Sequence, residues 1–104
     1  MDEVGINVNK PVNSLIHLGL SLNKIRQPAL VHIVKVFPNL FCLDVSFNDI
    51  CDMNRALEWL TKLTKLRMLA LEGNPLVLTP DYTNSVIERI PTLKIVDGNN
   101  VPID

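Results

Sequence analysis

The sequence has few aromatic residues, two cysteines and nearly balanced charge. Ten basic and eleven acidic residues leave a formal charge of -1, which gives no general electrostatic argument for binding nucleic acid or a membrane surface. No apolar run approaches the ~20 residues that a membrane-spanning helix requires, and the acidic start "MDEVGINVNK" lacks the apolar segment of a secretory signal. Cys42 and Cys51 are too few for a disulfide framework, so we expect free thiols and an intracellular, reducing compartment.

What the sequence does contain is leucine at a repeated spacing. Three stretches follow L-x-x-L-x-L-x-x-N-x-L, with other apolar residues at some leucine positions: "LIHLGLSLNKI" (15–25), "LFCLDVSFNDI" (40–50) and "LRMLALEGNPL" (66–76). A degenerate fourth copy begins at "LKIVDG" (93–98). This pattern is the leucine-rich-repeat signature. It predicts an α/β solenoid in which each repeat supplies one short parallel strand to the concave face of a horseshoe arc.

The stretches between these strands have helical spacing of apolar residues. They are "PALVHIVKVF" (28–37), "MNRALEWLTKL" (53–63) and "DYTNSVIERI" (81–90). Pro28 suits a first helical turn, and Asp52 or Asn54 is expected to cap the second helix. We therefore expect helices on the convex face behind three successive strands.

The end of the chain carries a further pattern, "NPLVLTPDYTNSVIERIPTLKIVDG" (74–98). It resembles the C-terminal cap of the protein phosphatase regulatory class of leucine-rich-repeat proteins. That cap also occurs in an axonemal dynein light chain, a spliceosomal repeat protein, acidic nuclear phosphoproteins and the messenger-RNA export receptor. The sequence of this stretch most resembles ciliary and axonemal members, although Thr83 occupies a position where many members have Arg. The resemblance implies that the cap comprises Tyr82, Val86, Ile90, Pro91, Leu93 and Asp97.

These boundaries divide the chain into three parts. Residues 15–98 hold three repeats and a capping half-repeat, and residues 99–104 form a tail. Residues 1–14 are open to two interpretations, an abbreviated N-terminal capping strand or the remnant of a longer repeat array. In the second case the first repeat would expose an apolar edge and favour edge-to-edge self-association.

The asparagines of the three repeats recur in register with the leucines. Asn23, Asn48 and Asn74 could form a polar row for ligands or a buried amide ladder. We favour the ladder, because an Asn side chain can pair the backbone groups that are left where each strand turns away.

The residues between the leucines point out of the concave face and are the candidate partner-binding residues. One row holds His17, Cys42, Met68 and Ile95; the next holds Gly19, Asp44, Ala70 and Asp97; the third holds Ser21, Ser46, Glu72 and Asn99. Phe41 flanks the first row. The predicted face is apolar on one side and acidic on the other. We expect Phe41, Met68 and Ile95 to supply apolar contact and Asp44, Glu72 and Asp97 to supply charge.

Two neighbours on this face raise the question of catalysis. His17 and Cys42 occupy equivalent repeat positions, and a Cys–His pair can act as nucleophile and base. An open concave sheet offers no oxyanion hole and excludes no water, so we expect no catalysis. The cysteines and histidines also lack the spacing of zinc ligands, and we expect neither metal nor cofactor.

Three large apolar residues lie outside the leucine pattern. Trp59 on the second helix could be an exposed anchor, but we expect it to pack partly on the convex layer. Leu22 and Phe47 follow exposed positions at the strand ends, and we expect both to pack against the next turn.

The sequence thus predicts a non-catalytic module that binds a partner protein on its concave face. The resemblance favours a scaffold or adaptor in a ciliary, axonemal or dynein-related complex. An adaptor of a nuclear RNA-processing or export complex and a phosphatase-regulatory subunit are the alternatives. Direct nucleic-acid contact is not expected unless five cations share one face, namely Lys10, Lys24, Arg26, Lys62 and Lys65.

Overall fold

The computed structural model describes residues 12–102 and shows the predicted leucine-rich-repeat solenoid. The proposed N-terminal segment 1–14 and Lys10 therefore fall largely or wholly outside the described residues. Four short strands lie side by side in chain order and parallel: β1 (His17–Gly19), β2 (Cys42–Asp44), β3 (Met68–Ala70) and β4 (Ile95–Val96). The predicted α/β architecture with parallel concave strands is confirmed.

A fifth strand follows inside what the sequence suggested to be a tail. β5 (Asn99–Asn100) pairs antiparallel with β4. Asp97 and Gly98 form the two-residue turn between them, with φ of 50° and 81°. Positive φ at both central residues is typical of the type I′ hairpin turn, for which Asp-Gly is a preferred pair.

Helices return the chain behind the sheet. They are α1 (Gln27–Val36), α2 (Met53–Leu60), a 3-10 helix (Pro75–Leu78) and α3 (Tyr82–Arg89). Asp52 caps α2 by accepting a hydrogen bond from the N–H of Arg55 at 3.1 Å, and Pro28 lies in the first turn of α1. The 3-10 helix was not predicted. None of the helices among residues 12–102 is long and apolar enough to cross a membrane.

The leucines of the repeats fill the space between the sheet and the helices. Side chains from strands, turns and helices are almost fully buried there, among them Leu43, Leu57, Leu60, Leu69 and Leu71. The same positions in the first turn, Leu15, Leu18 and Leu20, are only partly buried. The first described turn has one neighbour instead of two, so its leucines stay half-covered.

The asparagine ladder has two buried members. Asn48 and Asn74 are 5% and 2% exposed. The Oδ1 atom of Asn48 accepts from the N–H groups of Asn23 and Ile25, and that of Asn74 accepts from Ile50. Both Nδ2 atoms donate to carbonyls at the ends of two neighbouring strands.

Asn23 differs from this expectation. Its side chain is exposed and donates only a local hydrogen bond to the carbonyl of Ser21 at 2.9 Å. A ladder residue needs a preceding turn whose backbone groups it can pair. Asn23 lies in the first described turn, so among the described residues the ladder begins at Asn48.

Candidate functional site

The sheet register brings the first predicted concave row together. His17 lies opposite Cys42, Cys42 opposite Met68, and Met68 opposite Ile95. His17 is exposed and the other three are half-buried. Adjacent strands are about 4.8 Å apart, so this row forms a continuous strip across four strands.

The second row is lined by small and acidic residues. Gly19, Asp44 and Ala70 lie opposite one another in β1, β2 and β3. A Cβ placed on Gly19 would meet no atom within 4 Å. This row therefore leaves a shallow strip beside the apolar row, with the Asp44 carboxylate in the middle.

The third row is broken at its centre. Ser21 and Glu72 are exposed as expected, but Ser46 is only 5% exposed. The Ser46 hydroxyl and N–H both donate to Oδ1 of Asp44, at 2.6 and 2.9 Å. Ser46 is thus turned inward to hold the Asp44 side chain, and its assignment as a partner-binding residue is wrong. Asn99 also leaves this row, because it pairs with Val96 in the hairpin.

Asp97 is engaged inside the cap. Its Oδ1 accepts from the N–H groups of Leu71 and Glu72, and its Oδ2 accepts from the hydroxyl of Tyr82 at 2.8 Å. Burial is the main cause that raises the pKa of Tyr82, and the hydrogen bond to Asp97 and the charges of Asp97 and Glu72 add to it. Asp97 is predicted both as a partner-binding residue and as a cap residue, and these hydrogen bonds fit the cap role.

Other cap residues pack around this contact. Tyr82, Val86, Ile90 and Leu93 are buried. Pro91 is exposed and follows α3. The Thr92 hydroxyl donates to the carbonyl of Leu66 at 2.7 Å, which ties the cap to the preceding turn.

Two pairs of exposed apolar residues border the concave face. Ile16 and Phe41 lie just before β1 and β2, and are 59% and 49% exposed. Leu22 and Phe47 lie beyond the other ends of these strands, both with left-handed backbone, φ 61° and 55°. The ring of Phe47 lies over Gly73, where a Cβ would collide with it, so Phe47 packs on the next turn as expected. Leu22 is 77% exposed and does not.

The neighbouring His17 and Cys42 do not form a catalytic pair in this geometry. Among the described residues, no hydrogen bond joins their side chains, although their strands are in register. Partial burial raises the pKa of the Cys42 thiol, and the Asp44 carboxylate adds to the rise. A raised pKa lowers the thiolate fraction and so opposes nucleophilic chemistry. Residues 12–102 also contain no group of three or more His, Cys, Asp or Glu that could hold a metal ion.

Of the five cations that would indicate nucleic-acid contact, the four that the structure describes do not share one face. Lys24 and Arg26 precede α1, at the edge where strands end and helices begin. Lys62 and Lys65 follow α2, at the opposite edge. Both pairs are exposed. A ten-residue helix such as α1 is about 15 Å long, and a distance of this order separates the two pairs.

One cluster was missed by sequence reasoning. Trp59 is partly buried on the convex layer, as expected, but the ammonium groups of Lys35 and Lys62 lie 5.8 and 5.4 Å from its ring centroid. Lys35 and Trp59 are 24 positions apart, close to the repeat length, so the period could have placed them on adjacent turns.

Comparisons with known proteins agree with the fold. No family model matches the chain. The human leucine-rich repeat-containing protein 43 is 39% identical over 93 residues, which cover 88% of this chain and 14% of that protein. The mRNA export factor mex67 of Schizosaccharomyces pombe is 32% identical over 95 residues, which cover 84% of this chain and 16% of that protein. The chain thus spans about a sixth or less of the length of these relatives.

Solved structures give the same result. The Chaetomium Mex67:Mtr2 structure matches with a TM-score of 0.74 and 26% identity, over 84% of this chain and 56% of that one. The Drosophila melanogaster SNF/U2A′ complex matches with a TM-score of 0.62 and 26% identity, over 67% of this chain and 40% of that one. The relatives are leucine-rich-repeat proteins, and no enzyme family is indicated among them.

Proposed function

We propose that the chain is a non-catalytic interaction module that binds a partner protein across its concave face. The observation that carries this proposal is the strip formed by Cys42, Met68 and Ile95. These side chains lie in register on adjacent strands, are half-buried, and point away from the core. An apolar strip that the core does not use is available to a partner.

The surroundings of this strip fit a protein partner. Phe41 offers an exposed aromatic ring at one side, and aromatic residues are frequent anchors of protein interfaces. Asp44 and Glu72 lie on the other side and can pair with Lys or Arg of the partner. Gly19 and Ala70 between them let a partner backbone approach closely.

The relatives support the general class. Two of the similar structures contain assemblies, Mex67:Mtr2 and SNF/U2A′. Rigid repeat surfaces commonly bind proteins.

The kind of complex is a second question, for which each of three candidates has some support. Similarity to an mRNA export factor, and to a structure that contains U2A′, supports an adaptor in a nuclear RNA-processing or export complex. The resemblance of the cap to axonemal members supports instead a ciliary or dynein-related scaffold, and its phosphatase-regulatory resemblance supports a third. In each case the chain itself contacts protein and works inside the cell.

Affinity capture from cells with identification by mass spectrometry tests the proposal. The tagged chain is compared with Met68→Glu and Glu72→Lys, which place charge on the apolar strip and reverse charge beside it. Both side chains lack an internal hydrogen bond among the described residues, so the fold should survive. Glu58→Lys is the matched control, because Glu58 is an exposed carboxylate on α2.

We expect the specific partner to be lost from both concave variants and retained by the Glu58 variant. Retention by all three, with unfolding curves unchanged, would refute the concave site. The identity of the retained protein separates the candidates: an RNA-processing or export component, an axonemal component, or a phosphatase.

A further inference from the structure

One long edge of the solenoid is rich in cations. At the edge where strands begin and helices end lie six cations, which we call the basic rim: Lys35, Lys62, Lys65, Arg67, Arg89 and Lys94. The opposite edge has mixed charge, with the four acids Asp49, Asp52, Glu72 and Asp81 and the three cations Lys24, Arg26 and Arg55. The overall charge of -1 does not reveal this basic edge, because acidic residues elsewhere in the chain offset it.

Two lysines of the basic rim are held beside one tryptophan. The ammonium groups of Lys35 and Lys62 both lie within 6 Å of the Trp59 ring centroid. The cation–π attraction holds two like charges close together. Trp59 is itself packed on the core, so it fixes the position of both lysine side chains.

Among the described residues none of these cations is in an ion pair shorter than 4 Å, although the exposed Glu58 and Glu88 lie near the ends of α2 and α3. Within residues 12–102 the ion pair shorter than 4 Å is Arg55–Asp52, which lies at the opposite edge. The helix dipole accounts for Lys35 and Arg89, which lie in the last turns of α1 and α3. It does not account for Lys65, Arg67 and Lys94, which lie outside the helices.

Apolar side chains border the rim on the concave side. The N–H of Arg67 donates to the carbonyl of Phe41 at 2.8 Å, and the N–H of Phe41 donates to the carbonyl of Ile16 at 2.7 Å. Ile16 and Phe41, both about half exposed, therefore continue the line of Arg67 and Lys94 along the strand starts. Along this edge two exposed apolar residues, Ile16 and Phe41, are thus followed by two cations, Arg67 and Lys94.

We propose that the basic rim binds an acidic protein segment that carries apolar side chains beside its carboxylates. Carboxylates would pair with Lys62, Lys65 and Arg67, and the apolar residues would contact Phe41 and Ile16. This ligand fits better than RNA, because its apolar side chains can contact the exposed Ile16 and Phe41 beside the cations, which a continuous phosphate backbone cannot. The site goes beyond the concave strip, since none of its lysines lies on a strand.

The single tryptophan of the chain provides the assay, because the proposed site surrounds it. The full chain is titrated with a synthetic dodecamer that alternates glutamate and leucine and contains no tryptophan or tyrosine. The same peptide with glutamine for glutamate is the control ligand. We expect Trp59 emission to change with the glutamate peptide only, and the affinity to fall as salt is added.

Variants locate the binding. The double variant Lys62→Glu with Arg67→Glu should lower the affinity for the glutamate peptide by about tenfold or more, because two attractions become repulsions. Arg26→Glu is the matched control, an exposed cation at the opposite edge, and should change the affinity by less than about twofold. An anisotropy titration with a fluorescein-labelled peptide gives the affinities of the variants independently of Trp59.

Three results would overturn the proposal. They are the absence of glutamate-peptide binding at low salt, equal weakening by the Arg26 control, and tighter binding of a uridine dodecamer than of the peptide. The capture experiment with Met68→Glu and Glu72→Lys is a separate measurement. A negative result for peptide binding at the basic rim therefore does not refute the concave-face proposal. A negative result in the capture experiment likewise does not refute binding at the rim.

Discussion

Asn48 pairs five backbone groups from two turns of the solenoid with one side chain. Its Oδ1 accepts from two N–H groups, and its Nδ2 is within hydrogen-bond distance of three carbonyls. The N–H of Ile25 is buried and would lose its partner if the amide were removed. The unmade hydrogen bonds, more than any packing contact, make this residue costly to replace.

Asn48→Ala should lower the free energy of unfolding by about 2–3 kcal/mol, because it leaves buried backbone groups unpaired. Asn23→Ala is the internal control and should cost less than about 0.5 kcal/mol, since its side chain is exposed. Urea unfolding followed by Trp59 fluorescence measures both. Equal costs for the two variants would contradict the assignment of the ladder.

These asparagines show what a repeat can predict. The shared spacing of Asn23, Asn48 and Asn74 predicts the same environment for all three. Asn48 and Asn74 are both buried, but Asn23 is exposed. Spacing carries no information on whether a neighbouring turn exists, and burial depends on that neighbour. Ser46 is a similar case, because its hydrogen bonds to Asp44 turn it inward whereas the equivalent Ser21 stays exposed.

At the scale of elements, the C-terminal cap joins α3 to the β4–β5 hairpin through one contact. The hydroxyl of Tyr82 on α3 donates to Asp97 at the hairpin turn, and Asp97 also accepts from two N–H groups beyond β3. The carboxylate therefore links three elements. It occupies the end of the sheet, where a further turn would otherwise pair these N–H groups.

The cap should make stability depend on alkaline pH. Because the folded protein raises the pKa of Tyr82, the hydroxyl stays protonated in the folded chain and ionises in the unfolded chain above pH ~10. The contribution is therefore fully present below pH ~10 and is lost as pH rises further. Tyr82→Phe should cost about 1–2 kcal/mol at neutral pH and should flatten this alkaline loss.

Urea unfolding of the unaltered chain and of Tyr82→Phe, at pH ~8 and pH ~11, measures this alkaline loss of stability. Lysine titration affects both proteins equally and drops out of the comparison. Tyr82 is the only tyrosine, so tyrosinate absorbance reports its ionisation directly. Ionisation of folded Tyr82 near pH ~10 would contradict the buried contact.

The position of the cap could be predicted from the sequence, but its hairpin and 3-10 helix were not predicted. The resemblance predicted the participation of Tyr82 and Asp97, and the periodicity predicted the helix. The hairpin was missed, although the Asp97-Gly98 pair is a signal for a two-residue turn. The 3-10 helix at Pro75–Leu78 had no such signal, because a single tight turn has too few residues for a period.

At the scale of the whole molecule, the solenoid presents three surfaces with different chemistry. The concave face has an apolar strip beside acidic and small residues, one long edge is basic, and the other has mixed charge. The concave face was predicted from alternation within strands. The basic rim was not, because its cations come from helix ends and loops that only the completed turns bring to one edge.

The two cysteines of the chain allow a direct measurement of whether a partner occupies the concave face. Cys42 lies half-buried in the concave strip, and Cys51 lies exposed in the turn before α2. Two single-cysteine proteins, Cys51→Ser and Cys42→Ser, are each labelled with a thiol-reactive photocrosslinker and irradiated with the captured partner. We predict an adduct from Cys42 and none from Cys51. An adduct from Cys51 alone, or equal adducts from both, would contradict the account.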